Sequence, residues 1–330
     1  MSAVEMRVVG PDDDDVRLDH WFKRHFPAIG FGRLQKMLRT GQIRVDGHRA
    51  KPGLRLAEGQ SVRVPPMDGQ PAVAAQPRKN DVNERDGDFV RSLVIHRDAD
   101  VLAVNKPAGL AVQGGTGTTR HLDGMLGALK FDAAERPRLV HRLDKDTSGV
   151  MLLARNRKAA AALGKSFQGR GEVRKIYWAL TAGVPRPGQG KVNQPIGKMA
   201  GNSGERMSPD AEDAKRALTL YSVIDRSGTK LAWVAFWPQT GRTHQIRVHA
   251  VAMETPILGD GKYGGDDAFL ESEDIARQLH LHAREISVPH PSGRGMLQVR
   301  ADLPPHMLKT WSLFGFDRNL TDDPFEEFDG

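Results

Sequence analysis

Apolar side chains recur every three or four positions across residues 17–40. Leu18, Trp21, Phe22 and His25 fall at i, i+3, i+4 and i+7, which predicts a helix over Arg17–Phe26 that Pro27 and Gly30 end. A second helix is predicted over Phe31–Leu38, with Leu34, Met37 and Leu38 inward and Arg33, Lys36 and Arg39 outward, closed by Gly41. Short strands follow around Gln42–Val45 and Ser61–Val64, between turns at Gly47, Pro52, Gly53 and Gly59. Pro65–Asp88 is rich in Pro, Gln, Asp and Asn without a period and reads as a linker. Beyond it, strand-like runs occur at Leu93–His96, Val101–Asn105, Gly149–Ala154, Val173–Ala179, Ala217–Val223, Leu231–Phe236 and Leu279–Val288. Helical pattern lies between them, notably over Lys158–Phe167. Consecutive strands with helices at irregular intervals imply an α+β domain on a mixed, largely antiparallel central sheet. Asp317–Gly330 carries six acids against Arg318 and reads as a frayed tail.

Composition narrows the setting. The 330 residues suffice for two cores, and no run approaches the roughly 18 apolar residues of a membrane span. The start, acidic at Asp12–Asp15, lacks the basic and then apolar opening of a signal peptide, and a cytoplasmic location is expected. Without cysteine there is no disulfide, thiolate metal site or cysteine nucleophile. Net charge is +7. Arg17–Val64 holds eleven Lys/Arg against three acids, a surplus of eight, so the rest of the chain sums to −1. A basic excess confined to one short segment fits a footprint for nucleic acid, and equally a solvated basic face.

The stretch Leu139–Arg155 carries the most chemistry. A polar cluster, His141 to Gly149, runs directly into the apolar strand Val150–Leu153. A polar loop pinned to a buried strand is where a rigid scaffold presents reactive groups. Asp144 lies between Arg142 and Lys145, cations that favour its carboxylate, so it can serve as nucleophile or base. An Asp-Thr-Ser-Gly turn capped by its own side chains accounts for the same residues. Histidines invite a metal reading, yet neither His244/His249 nor His280/His282 has HExxH spacing or an accompanying carboxylate triad, and no metal is expected. Gly114, Gly115 and Gly117 form a turn without a following GK[ST], so no nucleotide cofactor is expected either.

HRLDKDTSG at 141–149 resembles the HRLDxxTSG signature of the RluA-type RNA pseudouridine synthases. NKPAGL (Asn105–Leu110), Lys175-Ile176-Tyr177, TGRTHQIRVH (Thr240–His249), PILGDGKYG (Pro256–Gly264) and LHLHA (Leu279–Ala283) resemble further blocks of that family in the expected order. QPIGK at Gln194–Lys198 and the overall length look most like its RluC-like, large-subunit ribosomal RNA members. The resemblance implies the pseudouridine synthase fold and isomerisation of uridines in RNA after base flipping, with large-subunit ribosomal RNA the expected partner and no cofactor. It assigns Asp144 as nucleophile, Tyr177 as the face beneath the uracil and Arg247 as the partner of Asp144. Arg142 would fill the gap left by the flipped base, and Leu281, His282 and Ala283 would line the pocket wall. Each role suits its residue. Extrusion exposes an atom unreachable in a stack, an aromatic face binds any pyrimidine, and a guanidinium stacks as a base does. One departure is Ala111-Val112-Gln113, where family members often have His in the third position. It implies altered RNA contacts with catalysis kept.

Residues 17–66 resemble the small S-four-like RNA-binding αβ domain, through their helix–helix–strand order and GQIRVDG with a later Lys-Pro-Gly. Arg33, Lys36, Arg39, Arg44 and Lys51 would contact phosphates. The expected organisation is an acidic extension at 1–16, the S-four-like domain at 17–66, a linker at 67–88, the catalytic domain at 89–305, and a C-terminal helix and acidic tail at 306–330. A monomer without membrane association is expected. The competing reading is a non-catalytic RNA-binding or ribosome-assembly factor on the same scaffold, one free to lose Asp144, Tyr177 or Arg247.

Overall fold

The computed structural model describes residues 4–27, 29–66, 83–114, 118–169, 171–201, 204–319 and 322–328. They fall into two compact units, one within residues 1–80 and one within 81–330. Most of the expected linker, 67–82, and Gly115 and Gly117 of the glycine turn lie outside the described residues.

The first unit comprises β1 (Glu5–Val8), α1 (Leu18–His25), α2 (Phe31–Arg39), β2 (Arg44–Val45), β3 (His48–Arg49) and β4 (Ser61–Val64), with sheet order β1-β4-β2-β3. The helical faces bury as the periodicity requires: Leu18, Trp21 and Phe22 meet Leu34, Met37 and Leu38 over Val45, Val62 and Val64. His25, half-buried, packs its ring 4.7 Å from that of Trp21 and lies within 2.6 Å of the Asp13 carboxylate. Residues 5–16 are not a loose extension. β1 pairs antiparallel with β4, and buried Asp13 also accepts hydrogen bonds from Trp21 Nε1 at 3.1 Å and Arg24 at 2.7 Å. Asp13 is thus the acceptor for side-chain donors of α1.

The second unit opens with α3 (Glu84–Ser92), then β5 (Val94–Arg97), β6 (Val101–Lys106), α4 (Leu122–Met125), β7 (Arg138–Leu139), β8 (Ser148–Ala154) and α5 (Arg157–Gln168). It continues through β9 (Arg174–Ala182), β10 (Gln189–Asn193), the hairpin β11 (Gly197–Gly201) and β12 (Gly204–Ser208), β13 (Leu218–Ser227), β14 (Leu231–Pro238) and α6 (Gln245–Ala252). β15 (Leu281–Pro289), β16 (Met296–Arg300) and α7 (Pro305–Leu313) complete it. The main sheet runs β10-β13-β14-β9-β15-β8-β6-β5, with β16 on β15 and β7 on β8. Its described strand pairs are antiparallel except β15 with β8. The sheet is therefore mixed and largely antiparallel, as the alternation of elements implied.

The parallel junction positions the chemistry. His282 registers with Ser148 and Ala283 with Gly149. Gly149 sits at φ +118°, and a Cβ there would stand 2.3 Å from the Ala283 carbonyl oxygen. Only glycine allows that conformation and that approach. The polar loop before β8, the tyrosine of β9 and the start of β15 are thereby brought to neighbouring strands at mid-sheet.

Two expectations about flanking segments are corrected. Residues 84–88 are the first turns of α3, capped by Asn83 and anchored by buried Val90, rather than linker. The acidic end, over its described residues, docks instead of fraying. Phe325 is fully buried beside Trp237, and Asp323 pairs bidentately with Arg174 at 2.5 and 2.6 Å. One buried aromatic and a compensated charge outweigh a polar composition that carries no period.

Candidate active site

A cleft at mid-sheet is lined by Arg142, Asp144, Lys175, Tyr177, His244, Arg247 and Leu281, among others. Three of the sequence-derived site residues, Asp144, Tyr177 and Arg247, thus converge from the loop before β8, from β9 and from α6. Arg142 is exposed at this cleft.

The loop bearing Asp144 is held by half-buried His141 and fully buried Lys106. His141 Nε2 accepts the Leu152 N–H at 2.9 Å, and its ring stacks on Phe167 at 4.5 Å. Burial, with Lys175's charge adding, pulls His141 down to about 3, so it stays a neutral acceptor. Lys106, fully buried at the end of β6, donates to the carbonyls of Pro107 (2.9 Å), Leu110 (2.9 Å) and Lys145 (3.0 Å). It joins the NKPAGL turn to the residue that follows Asp144. Burial draws its pKa down to about 8 despite the opposing charges of Asp146 and Asp144.

Burial, and then Asp144's charge, push Tyr177 above the ordinary phenol range, so its hydroxyl keeps its proton. Burial lowers Lys175, which lies 5.3 Å from the Phe167 ring centroid.

Arg247 is not held by Asp144, the partner expected for it. Its guanidinium makes a bidentate pair with buried Asp260, Nε at 2.8 Å and Nη2 at 2.6 Å. Burial opposes the charge on Arg247, but the hydrogen bonds and charge of Asp260, with Asp144 beyond, raise its pKa. The planar fork matches a carboxylate fixed at the PILGDGKYG turn, and a second carboxylate facing the cleft is left to other groups. His244 is one of them. Its Nε2 stands 3.9 Å from Asp144 Oδ1, and its Nδ1 is 2.6 Å from the Tyr263 hydroxyl.

The pocket wall is corrected too. Leu281 lines the cleft. His282 points to the opposite face of β15, as strand alternation demands, and binds Ser148 Oγ and the Ala301 carbonyl. Ala283 packs in the core beneath Gly149. His249 and His280 are likewise buried hydrogen-bonding groups, on Thr219 and the Gln194 carbonyl and on Thr310 and the Gln278 carbonyl, rather than RNA-facing ones. In the first unit Arg33, Lys36, Arg39, Arg44 and Lys51 are all exposed.

Sequence reasoning gave no role to Lys106, Asp260 or Tyr263, and read His244 only as a hydrogen-bonding or RNA-facing residue. All four lie inside the motif blocks, but what each touches is set by the fold.

The arrangement places one carboxylate beside a protonated phenol and several cations in a cleft open to solvent, which suits nucleophilic attack on a flat, uncharged ring system. Comparisons with known proteins point the same way. Residues 100–252 match the family model described as RNA pseudouridylate synthase. The chain is 34% identical over 309 residues to "Ribosomal large subunit pseudouridine synthase C" of Rickettsia conorii (strain ATCC VR-613 / Malish 7), covering 92% of this chain and 96% of that one. It is 32% identical over 311 residues to the protein of the same name from Vibrio vulnificus (strain CMCP6), covering 91% and 93%. The solved structure of human RNA pseudouridylate synthase domain containing 4 superposes with a TM-score of 0.59 at 29% identity, covering 70% of this chain and 97% of that one. The chain belongs to the pseudouridine synthase family and is an isomerase acting on RNA.

Proposed function

We propose that the chain isomerises specific uridines of large-subunit ribosomal RNA, with Asp144 as nucleophile. The observation that carries the reading is the convergence of Asp144, Tyr177 and the cationic side chains on one cleft. Isomerisation breaks the N1–C1′ bond, joins C5 to C1′ and releases the C5 hydrogen. Asp144 attacks either the ribose carbon or ring carbon 6 as a carboxylate nucleophile, in a cleft it shares with Arg142, Lys175 and Arg247. Tyr177, kept protonated, offers a ring face to the uracil. Arg142, exposed at the cleft, suits the gap left in the stack when the base flips out. These groups supply the chemistry without a coenzyme.

In the same reading the first unit grips RNA as an S-four-like domain through Arg33, Lys36, Arg39, Arg44 and Lys51, all exposed. The enzyme acts as a cytoplasmic monomer. Among the described residues no helix is long and apolar enough to cross a membrane. The relatives named above carry the large-subunit target in their names, and overall length and QPIGK support its transfer. The test is to map pseudouridines on ribosomal RNA from cells with and without this gene. Sites that vanish from large-subunit RNA and return on complementation support the target; an unchanged large-subunit map with sites lost elsewhere contradicts it.

A further inference from the structure

The groups facing Asp144 from α6 are themselves held by a single loop. Asp260 clamps Arg247, and Tyr263, three residues on, reaches His244. Tyr263 is 7% exposed, and its hydroxyl also accepts the Met207 N–H of β12 at 3.1 Å. Arg247 and Arg206 flank its ring, with guanidinium carbons 4.9 and 5.2 Å from the centroid.

The donors around the Tyr263 oxygen point to one tautomer of the imidazole. With the Met207 N–H occupying an acceptor site on the tyrosine oxygen, the phenol proton needs an acceptor of its own, and His244 Nδ1 is the partner at hand. Burial raises Tyr263's pKa, which keeps that proton in place. A neutral imidazole accepting at Nδ1 carries its hydrogen on Nε2, the atom 3.9 Å from Asp144 Oδ1. His244 stands in the left-handed region at φ +54°, as the residue that caps α6. Few side chains tolerate that conformation, and it aims the ring into the cleft.

We propose that Tyr263 is a positioning residue for the isomerisation: its hydroxyl holds His244 with Nε2–H turned toward Asp144, and the backbone of β12 holds Tyr263 in place. His244 is then a group of the cleft that orients the carboxylate. The groups facing His244 are Asp144 from the loop before β8, Arg247 from its own helix, and Asp260, Lys262 and Tyr263 from the following loop. The inference rests on the reading of Asp144 as nucleophile, but its first test does not depend on that reading.

The first test is nitrogen NMR of the ¹⁵N-histidine-labelled full chain, with His244 identified by loss of its signals in His244→Asn. The proposal requires His244 to be the Nε2–H tautomer near neutral pH in the wild type; an Nδ1–H tautomer overturns it. Tyr263→Phe, which keeps the ring and drops the hydroxyl, is expected to mix the tautomers. It should also lower kcat about 10-fold on transcribed large-subunit ribosomal RNA with KM within about 2-fold, since the lost bond acts on the nucleophile and not on RNA binding. Unchanged tautomer and kcat overturn the proposal.

A paired comparison separates positioning from a backbone role. Asn suits the left-handed backbone better than Gln, but its amide nitrogen reaches only the place of Nδ1. Gln extends its amide to the place of Nε2. Retention of more kcat by His244→Gln than by His244→Asn supports a donor aimed at Asp144, and the reverse order sinks it. Should Asp144→Asn keep normal turnover, the nucleophile assignment fails on its own, whatever tautomer is found.

Discussion

Lys106→Met is the substitution whose consequence the structure specifies most fully. Methionine approximates the length and apolar stem of lysine but donates nothing, so the carbonyls of Pro107, Leu110 and Lys145 lose their shared donor. The Lys145 carbonyl keeps the Gly109 N–H at 2.9 Å, so two carbonyls lose their partner, and at about 1–3 kcal/mol each this costs roughly 2–6 kcal/mol. Removing a buried ammonium offsets part of this. The fall of the Lys106 pKa from 10.5 to about 8 corresponds to about 3 kcal/mol of desolvation recovered. A net loss of about 1 kcal/mol is expected, or a fall in Tm of roughly 2–4 °C for a unit of this size. Because the clamp spans the residue after Asp144, activity should fall further than stability alone explains. Thermal melts, combined with single-turnover pseudouridine formation well below the variant's Tm, separate the two effects. A variant with wild-type Tm and wild-type rate would refute the reasoning that Lys106 ties the nucleophile loop to the β6 turn.

Further outcomes follow from other parts of the molecule. Gly149→Ala should cost about 3–5 kcal/mol and most activity, because its Cβ would meet the Ala283 backbone at φ +118°, and a variant with wild-type stability in denaturant melts would contradict this. Stability should fall on acidification through three neutral histidines, half-buried His141 held near 3 and buried His280 and His282 near 4, each by desolvation. Their folded pKa values lie below the unfolded 6.5, so the stability they contribute is complete above that pH and is lost as pH falls toward 4, by at most about 2 kcal/mol each at pH 5. Denaturant midpoints that are flat between pH 7 and pH 5 would argue against it. Replacing Arg33, Lys36 and Arg39 together by Ala should weaken RNA binding and reduce the slope of log affinity against log salt by about 2–3; an unaltered slope would remove this face from the RNA interface.

Legibility in the sequence followed the kind of signal. α1 and α2 were readable because their apolar faces keep the helical period, and β8 because an unbroken apolar run must be buried. β10, β11 and β12, with sequences QGKVN, GKMAG and GERMS, carry neither alternation nor an apolar run, so nothing marked them. α6 is buried from Gln245 to Ala250 on every side, which erases the amphipathic stripe that would have announced a helix. Asp144, Tyr177 and Arg247 were found through motif order, a signal of resemblance rather than of physics. What motif order could not give was pairing. Arg247 meets Asp260, thirteen residues on, because a loop returns there, and spacing alone encodes no such return. Strand alternation, by contrast, was available and would have set His282 apart from Leu281.

The most direct test of the account replaces the Asp144 carboxylate by an amide of equal size. Purified Asp144→Asn is incubated with large-subunit ribosomal RNA carrying tritium at uridine carbon 5, and release of label to water is followed beside RNA affinity. Abolished release with affinity within about 2-fold of wild type is the expected result, since phosphate contacts supply most of the binding. Label released at the wild-type rate would contradict the assignment of Asp144 as the nucleophile.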